Sequence, residues 1–539
     1  MARTDLLHRF QCLYRDFEAA KSSGRTVQQV QSARLARKPS RREFLSGGAM
    51  MGAVAAVSAP ARALAAAPPR IVVVGAGIAG LNAALTLQDA GYPSTIYEAS
   101  GKLGGRMHSD TTSWAYGQVS EHCGEFIDSG HKTILGLARR FKIPVADLTS
   151  AEPPRSTETY DFFGQRYTVE QANADFNAVY QAVKKDLIAA GFPTFYYSYT
   201  AAAAALDHIS VYDWIESRVP GGHGSKMGQL LDIGYNVEYG AETTELSALD
   251  LVYLLGYQPV PGNFHLYGSS DERYHLAGGN EQLPRAIAAA LPGSSIHLST
   301  ALTAISKNSD GTFTLTFKSL ASKRPATFTV VADRVILTLP FSVLRTLDYS
   351  QAGFSAVKTT GIQQLGYGNS VKLHLQFKSR LWNQSGPWGI SNGYSLADTG
   401  YQSTWDVTRA QNGSTGILVD FTGGNVAATF GGNPALVESY AMKFLSQLEP
   451  VFPGITLQWN GIATLDVPAL DPNLRGSYAH WKVGQYTLFS GSERQRSGNC
   501  HFAGEHCSTI FQGFMEGGAQ EGARAAGEIL DDYKAGIYP

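Results

Sequence analysis

The sequence predicts an α/β fold in which a parallel sheet flanked by helices is joined to an α+β second domain. Three observations carry that prediction. Ile71-Val72-Val73-Val74 is an unbroken β-branched run, the pattern of a parallel strand covered on both faces. Gly75-Ala76-Gly77-Ile78-Ala79-Gly80 follows at once and opens a helical stretch. Near the other end, Phe502-Ala503-Gly504-Glu505-His506 and Gly513-Phe514-Met515-Glu516-Gly517-Gly518 lead into a second helical stretch reaching about residue 530.

Taken in chain order, residues 1–69 read as a leader. A basic, polar start is followed by Ser40-Arg41-Arg42-Glu43-Phe44-Leu45 and a weakly apolar run of small residues over 46–57. Ala61-Arg62-Ala63 or Ala63-Leu64-Ala65 suits a signal peptidase. The pattern resembles a bacterial twin-arginine export signal, which is an address and not an anchor, and implies a periplasmic or secreted protein. A membrane span is the competing reading, but the run is far shorter than the roughly 20 residues a span needs. No stable membrane anchor is expected.

The fold is expected to begin at Arg70. After the first strand and the glycine turn, a helix runs to about Ala90 and stops at Gly91; Thr95-Ile96-Tyr97 is the second strand, ending at Glu98. Gly75 serves the tight turn, Gly77 the close approach of a pyrophosphate, and Gly80 the packing of helix on strand. The phosphates sit on the positive helix terminus, and Glu98 stands where an acid accepts ribose hydroxyls. An isolated GxGxxG is weak evidence; here strand, turn, helix, second strand and acid come in order.

Composition bounds the rest. At 539 residues the chain suits two or three domains. Charged residues make up 17%, below the ~25% of an average soluble domain, and the net charge of -1 gives no reason to expect nucleic acid. The cysteines are Cys12, Cys123, Cys500 and Cys507, with no CxxC pair, so neither a disulfide scaffold nor a zinc site is expected. His122-Cys123 and His506-Cys507 lack metal-ligand spacing, and a Cys123–Cys507 disulfide is left open.

Gly104-Gly105-Arg106, Gly124-Glu125-Phe126-Ile127-Asp128 and the two C-terminal motifs, in this order, resemble the flavin-containing amine oxidase family of monoamine, polyamine and L-amino acid oxidases. The resemblance covers 70–530 and implies FAD. It puts Arg106 by the pyrophosphate and flavin. Glu505 would bind the ribityl chain or else simply cap a helix, and the Met515 amide would face the flavin's pyrimidine edge. Gly278-Gly279-Asn280-Glu281-Gln282-Leu283-Pro284 and Thr338-Leu339-Pro340 match further turns on the cofactor side.

At the reacting end, Lys372 in Ser370-Val371-Lys372-Leu373-His374-Leu375-Gln376-Phe377 falls where the family holds a water on flavin N5; the alternative is a lysine snorkelling from a strand edge. Tyr478 and Phe514 would form the two walls of an aromatic slot, with Trp481 as a further substrate-binding candidate. Ser477 stands where monoamine oxidases carry the cysteine bonded to flavin, which implies non-covalent FAD. Ile127 stands where many L-amino acid oxidases carry a carboxylate-binding arginine, which favours a simple amine. Arg155, Arg273 and Arg409 remain other sources of a guanidinium. Asp128 or Glu125 either receives a cationic substrate tail or is structural.

The expected architecture is a discontinuous Rossmann-like FAD-binding domain (70–150, 270–345, 490–535) plus an α+β substrate-binding domain (151–269, 346–489). The expected reaction is oxidative deamination of a primary amine or polyamine by hydride transfer to flavin N5. Dioxygen is the acceptor, and the products are aldehyde, ammonia and hydrogen peroxide. An L-amino acid oxidase, an amine dehydrogenase with a respiratory acceptor, a desaturase and a flavin-bound redox protein are the alternatives. A second copy of the chain is a candidate partner.

Overall fold

Ile71–Val74 is the central strand of a five-stranded sheet in the computed structural model, which describes residues 69–259, 263–321 and 326–538. The leader reading, but for Pro69, lies outside the described residues. The sheet is parallel, in the order Cys500–Phe502, Arg334–Leu337, Ile71–Val74, Ser94–Tyr97, Ile296–His297. All four residues of the central strand are buried, as its β-branched run predicts. Each such side chain contributes about 1.5–3 kcal/mol of burial.

Two helices cover one another beside this sheet. Ile78–Asp89, the helix after the glycine turn, packs on Met515–Lys534, and Asn82 Nδ2 donates to Ala519 O at 2.7 Å. The approach is close because Gly522 has no side chain: a methyl there would lie 2.0 Å from Ala79 O. The first and last motifs of the chain therefore meet across more than 400 positions.

The second large sheet has seven strands, in the order Trp459–Asp466, Ser370–Phe377, Gly416–Gly423, Ser403–Asp406, Ser391–Ala397, Thr157–Phe162, Gln165–Tyr167. It is antiparallel except where Ser391–Ala397 runs beside Thr157–Phe162. Helix Val169–Ala190 belongs to this half and starts with a capping box between Thr168 and Gln171. Helix Lys226–Tyr239 packs on the strands Gly416–Gly423, Ser391–Ala397 and Thr157–Phe162, while Val437–Leu448 packs on Ser370–Phe377 and Trp459–Asp466. Ser370–Phe377 is consequently buried at all eight residues, although its alternating sequence reads as a strand with one polar face. A four-stranded sheet of Thr300–Lys307, Phe313–Ser319, Thr327–Ala332 and Asp348–Gln351, which the sequence reading did not resolve, packs Phe317 on Tyr97 with ring centroids 4.2 Å apart.

The seven-stranded sheet contains a titration test. Asp420 is buried on Gly416–Gly423, its Oδ1 has no partner among the described residues, and burial pushes its carboxyl up to about 8. The native state then keeps a proton that the unfolded chain releases near pH 4. Stability from this group is full below pH 4 and is lost as pH rises to 8, by about 1.4 kcal/mol per unit. The melting-temperature advantage of Asp420→Asn over the parent is expected to grow between pH 5 and pH 8, by roughly 2 °C per unit. An advantage that is flat across this range would show that Asp420 is ionised in the native protein.

Candidate active site

A cavity of about 650 Å3 runs from the glycine turn at Gly75 to the face of the seven-stranded sheet at Lys372. At the first end the chain is shaped for a backbone contact. Gly75 has φ +107°, and a methyl on Gly80 would lie 2.0 Å from Gly75 O, so strand and helix meet only without a side chain there. Gly77 precedes helix Ile78–Asp89 and supplies no side-chain cap, which leaves the helix's first amides to face an anion. Gly104 and Gly105 lie over this turn, with Gly104 N donating to Ala76 O at 2.9 Å. Glu98 braces the turn: Oε2 accepts from Ala76 N at 2.7 Å and Oε1 from Ser100 N at 2.8 Å.

Arg106 and Glu505 form the middle of the wall. Arg106 Nη1 donates to Glu505 Oε1 at 2.8 Å and to Ser477 O at 2.7 Å. Glu505 also accepts from Ala479 N at 3.2 Å and from Gly513 N at 2.9 Å. One carboxylate thus ties together the Arg106 loop, the segment carrying Tyr478, and the turn before helix Met515–Lys534. Phe514 precedes that helix without a side-chain cap, so its first amides, Met515's among them, lack intrahelical acceptors at the cavity edge. Ser477 lines the cavity with its hydroxyl 3.0 Å from Ser370 Oγ. Two helix N-termini with free amides, an arginine and an acid at the end of the second strand, gathered on one cavity of about 650 Å3, fit a dinucleotide such as FAD.

At the other end, Lys372 does not snorkel. Its side chain is 7% exposed, and Nζ donates to Glu125 Oε2 at 2.7 Å and to Glu121 O at 3.2 Å. Trp405 completes the unit: Nε1 donates to Glu125 Oε1 at 3.0 Å, and Lys372 Nζ lies 5.3 Å from the indole ring. Tyr478 lines the cavity and donates its hydroxyl to Glu238 O. Phe514 also lines it, with its ring edge-on to His131 at 5.2 Å. The structure therefore brings Lys372, Tyr478 and Phe514 onto one cavity with Gly75, Gly77, Glu98, Gly104, Gly105, Arg106, Glu505 and Met515; Gly80 acts one layer behind.

Two expectations, for Ile127 and Trp481, are corrected, and of the two alternatives for Asp128 the structural one holds. Ile127 is wholly buried in the core of the parallel-sheet half, its backbone paired with Tyr274, and the residue facing the cavity is its neighbour Phe126. Extended backbone sends successive side chains to opposite sides, so Phe126 faces the cavity and Ile127 the core. Asp128 is structural: it accepts from Ser270 Oγ at 3.0 Å and Glu272 N at 2.9 Å and pairs with His131 at 3.3 Å. Burial opposes its charge, but these donors hold the carboxyl below the usual range. Trp481 packs on Tyr486 and Phe489 at 4.8 and 5.5 Å and does not reach the cavity. Of the arginines considered, Arg273 pairs with Asp147 at 2.7 Å, Arg155 is exposed, and Arg409 pairs with Glu152 at 2.9 Å behind the Phe126 ring. Cys123, Cys500 and Cys507 are free thiols, and no metal-ligand cluster occurs among the described residues.

The sequence reading missed much of the cavity wall: Glu238, Tyr267, Glu272, Tyr394 and Phe421 line it. Tyr267 and Tyr394 share a hydroxyl–hydroxyl hydrogen bond of 3.0 Å. Burial, then Glu272 and Asp128, push the Glu238 carboxyl well above its usual range; burial, then Asp128, raise that of Glu272 to about 8. No local motif marks these acids, because they come from a helix end and a loop that only the fold brings together.

Comparison with known proteins agrees with this geometry. Residues 78–530 match the family model described as flavin containing amine oxidoreductase. An L-amino-acid oxidase of Mus musculus is 25% identical over 87% of this chain and 72% of its own length. Among solved structures, cyclohexylamine oxidase from Brevibacterium oxydans IH-35A superposes with a TM-score of 0.73 at 20% identity, covering 87% of this chain and 100% of that one. A putrescine oxidase bound to putrescine gives a TM-score of 0.71 at 20% identity, covering 86% and 99%. At these identities the structural matches speak for the fold.

Proposed function

Since this chain belongs to the flavin-containing amine oxidoreductases, FAD-dependent enzymes acting on amines or amino acids, we propose that it deaminates a primary amine or polyamine carrying no α-carboxylate. The observation that carries this reading is that the described lining of the reacting end offers no free guanidinium. Lys372 is neutralised by Glu125, Glu238 and Glu272 add two further acids, and among the described lining residues the one arginine, Arg106, is committed to Glu505. A substrate carboxylate entering there meets acids and no free guanidinium, the group that best reads a carboxylate.

The cofactor would be held by Gly75 and Gly77 of the turn, with Gly80 packed behind them, and by Glu98, Arg106, Glu505 and the Met515 amide. Ser477 offers no thiol for a thioether, so the FAD is proposed to be non-covalent. When bound, FAD supplies the two-electron acceptance that converts the amine to an imine. The chain supplies orientation and shielding. Tyr478 and Phe514 confine the amine between aromatic walls. Lys372 Nζ, with two of its donors engaged, keeps an N–H for a water at the reacting end. Water then hydrolyses the imine to aldehyde and ammonia, and dioxygen takes up the two electrons as hydrogen peroxide. The leader pattern at 40–57 supports twin-arginine export of the folded protein to the periplasm or beyond.

The second reading, an L-amino acid oxidase, is favoured by the mouse relative and by Arg409, whose Cζ lies 5.4 Å from the Phe126 ring and which could swing past it. Peroxide release by the purified holoenzyme on matched pairs separates the two: arginine with agmatine, lysine with cadaverine, phenylalanine with phenethylamine. The proposal expects peroxide from the amines. Peroxide from the amino acids alone would overturn it in favour of a moving Arg409.

A further inference from the structure

A histidine–carboxylate pair on the cavity wall has no part in the reaction as proposed so far. His122 Nδ1 lies 2.6 Å from Asp466 Oδ1, and the His122 ring stacks on that of His108 with centroids 4.4 Å apart. Lys102 Nζ lies 3.2 Å from His108 Nδ1. All four residues line the cavity. His122 is tied to the reacting end from two sides. The carbonyl of its preceding peptide, Glu121 O, accepts from Lys372 Nζ at 3.2 Å. Its partner Asp466 stands opposite Lys372 on the neighbouring antiparallel strand, and opposite residues of such a pair share one face of the sheet.

These contacts fix what each ring can carry. A protonated lysine has donors only, so His108 Nδ1 accepts from Lys102 and this ring is the neutral one. Asp466 accepts from His122 Nδ1, which leaves Nε2, with no partner among the described residues, as the atom where a proton comes and goes. Burial opposes a charge on His122, but Asp466 and Asp110 outweigh burial and Lys102 and hold its pKa above the usual range. Burial, then His122 and Lys102, hold His108 below that range. His374, on the strand of Lys372, is buried and held neutral by that burial. The His122 side chain is 28% exposed, so its ring is not sealed in the core. An imidazole oriented by a carboxylate and open at its other nitrogen is the arrangement of a proton carrier.

Resting on the proposed amine oxidation, we propose that the His122–Asp466 pair stores one proton between the two halves of the reaction. The chemistry itself defines this proton. The substrate ammonium first gives up one H+. Its α-C–H bond then breaks, and two electrons and a proton leave as hydride, giving a protonated imine. Dioxygen takes those two electrons and that proton and needs one further H+ to become hydrogen peroxide. The proton lost in the first half is therefore the one missing in the second. The hydride also adds one negative charge to the cavity, which favours the charged imidazole of His122 until dioxygen removes that charge. Asp466 is the positioning residue, because it keeps Nδ1 engaged and Nε2 free.

The test is the midpoint potential of the bound flavin against pH, read with redox dyes and no amine present, in the wild-type holoenzyme, His122→Gln and Asp466→Asn. If His122 takes up a proton as the flavin is reduced, linkage makes the potential fall about twice as steeply with pH as for a couple binding one proton per two electrons. The wild type is expected to show this steep stretch above about pH 6.5, and His122→Gln to lose it. Asp466→Asn is expected to move the stretch to lower pH, which a merely structural aspartate would not do. His122→Gln should also reoxidise about 100-fold more slowly, the scale of a lost general acid, and recover with added imidazole. Should a variant lose its flavin, histidine ring NMR of the oxidised and reduced wild type reads the same uptake. A wild-type slope of one proton per two electrons throughout, or a steep stretch that survives in His122→Gln, would overturn the store. Oxidation of amino acids in place of amines would overturn the amine reading alone, since an α-ammonium gives up the same proton.

Discussion

Glu505→Ala is expected to yield a chain that loses its flavin on purification and folds about 3–5 kcal/mol less stably than the parent, the usual cost of breaking one side of a buried ion pair. The reason is the number of elements that one carboxylate joins. It accepts from Arg106 Nη1, from Ala479 N and from Gly513 N, so its removal strands a charge and two amides at once. It also frees the turn that sets Phe514 and Met515 at the head of the C-terminal helix. Glu505→Gln retains an acceptor oxygen and should fall between the two, keeping part of the flavin with a weakened Arg106. The measurements are flavin absorbance per polypeptide and chemical denaturation of the apo chain. A Glu505→Ala protein that purifies fully yellow would mean that Arg106 finds its place without this partner.

Lys372→Met should slow reoxidation by dioxygen about 100-fold, the scale of losing one preorganised electrostatic donor at a reacting centre. The anaerobic half-reaction with amine should change far less. The ion pair with Glu125 shapes the experiment. Removing Lys372 alone leaves a buried carboxylate held only by Trp405 Nε1, so a folding defect could mimic a chemical one. The double variant Lys372→Met with Glu125→Gln removes that charge and is the cleaner comparison. Stopped-flow reoxidation that matches the parent in the double variant would assign Lys372 a packing role.

These predictions also mark where sequence reading stopped. The cofactor end was legible because its physics is local. A buried strand, a turn free of side chains, a helix terminus and an acid follow one another over 71–98, and each has its own compositional mark. The helical stretch after the C-terminal motif was legible as well, but the roles of Glu505 and Met515 came from family resemblance. Lys372, Tyr478 and Phe514 were reached through family resemblance, and the fold gathers them on one cavity. The partner of Lys372 was not legible, since Glu125 lies 247 positions away. Nor was the face presented by 124–128, where a shift of one residue exchanges Phe126 for Ile127 and cavity for core. Glu238 and Glu272 read in sequence as ordinary surface acids at a helix end and in a loop. They share a cavity wall, where burial pushes both carboxyls up, only because the fold brings that helix end and loop together. Sequence by itself determined the elements whose stability is decided within a few residues; the tertiary structure alone decided which distant side chains share one buried, low-dielectric environment, because desolvation depends on packing and not on sequence neighbours.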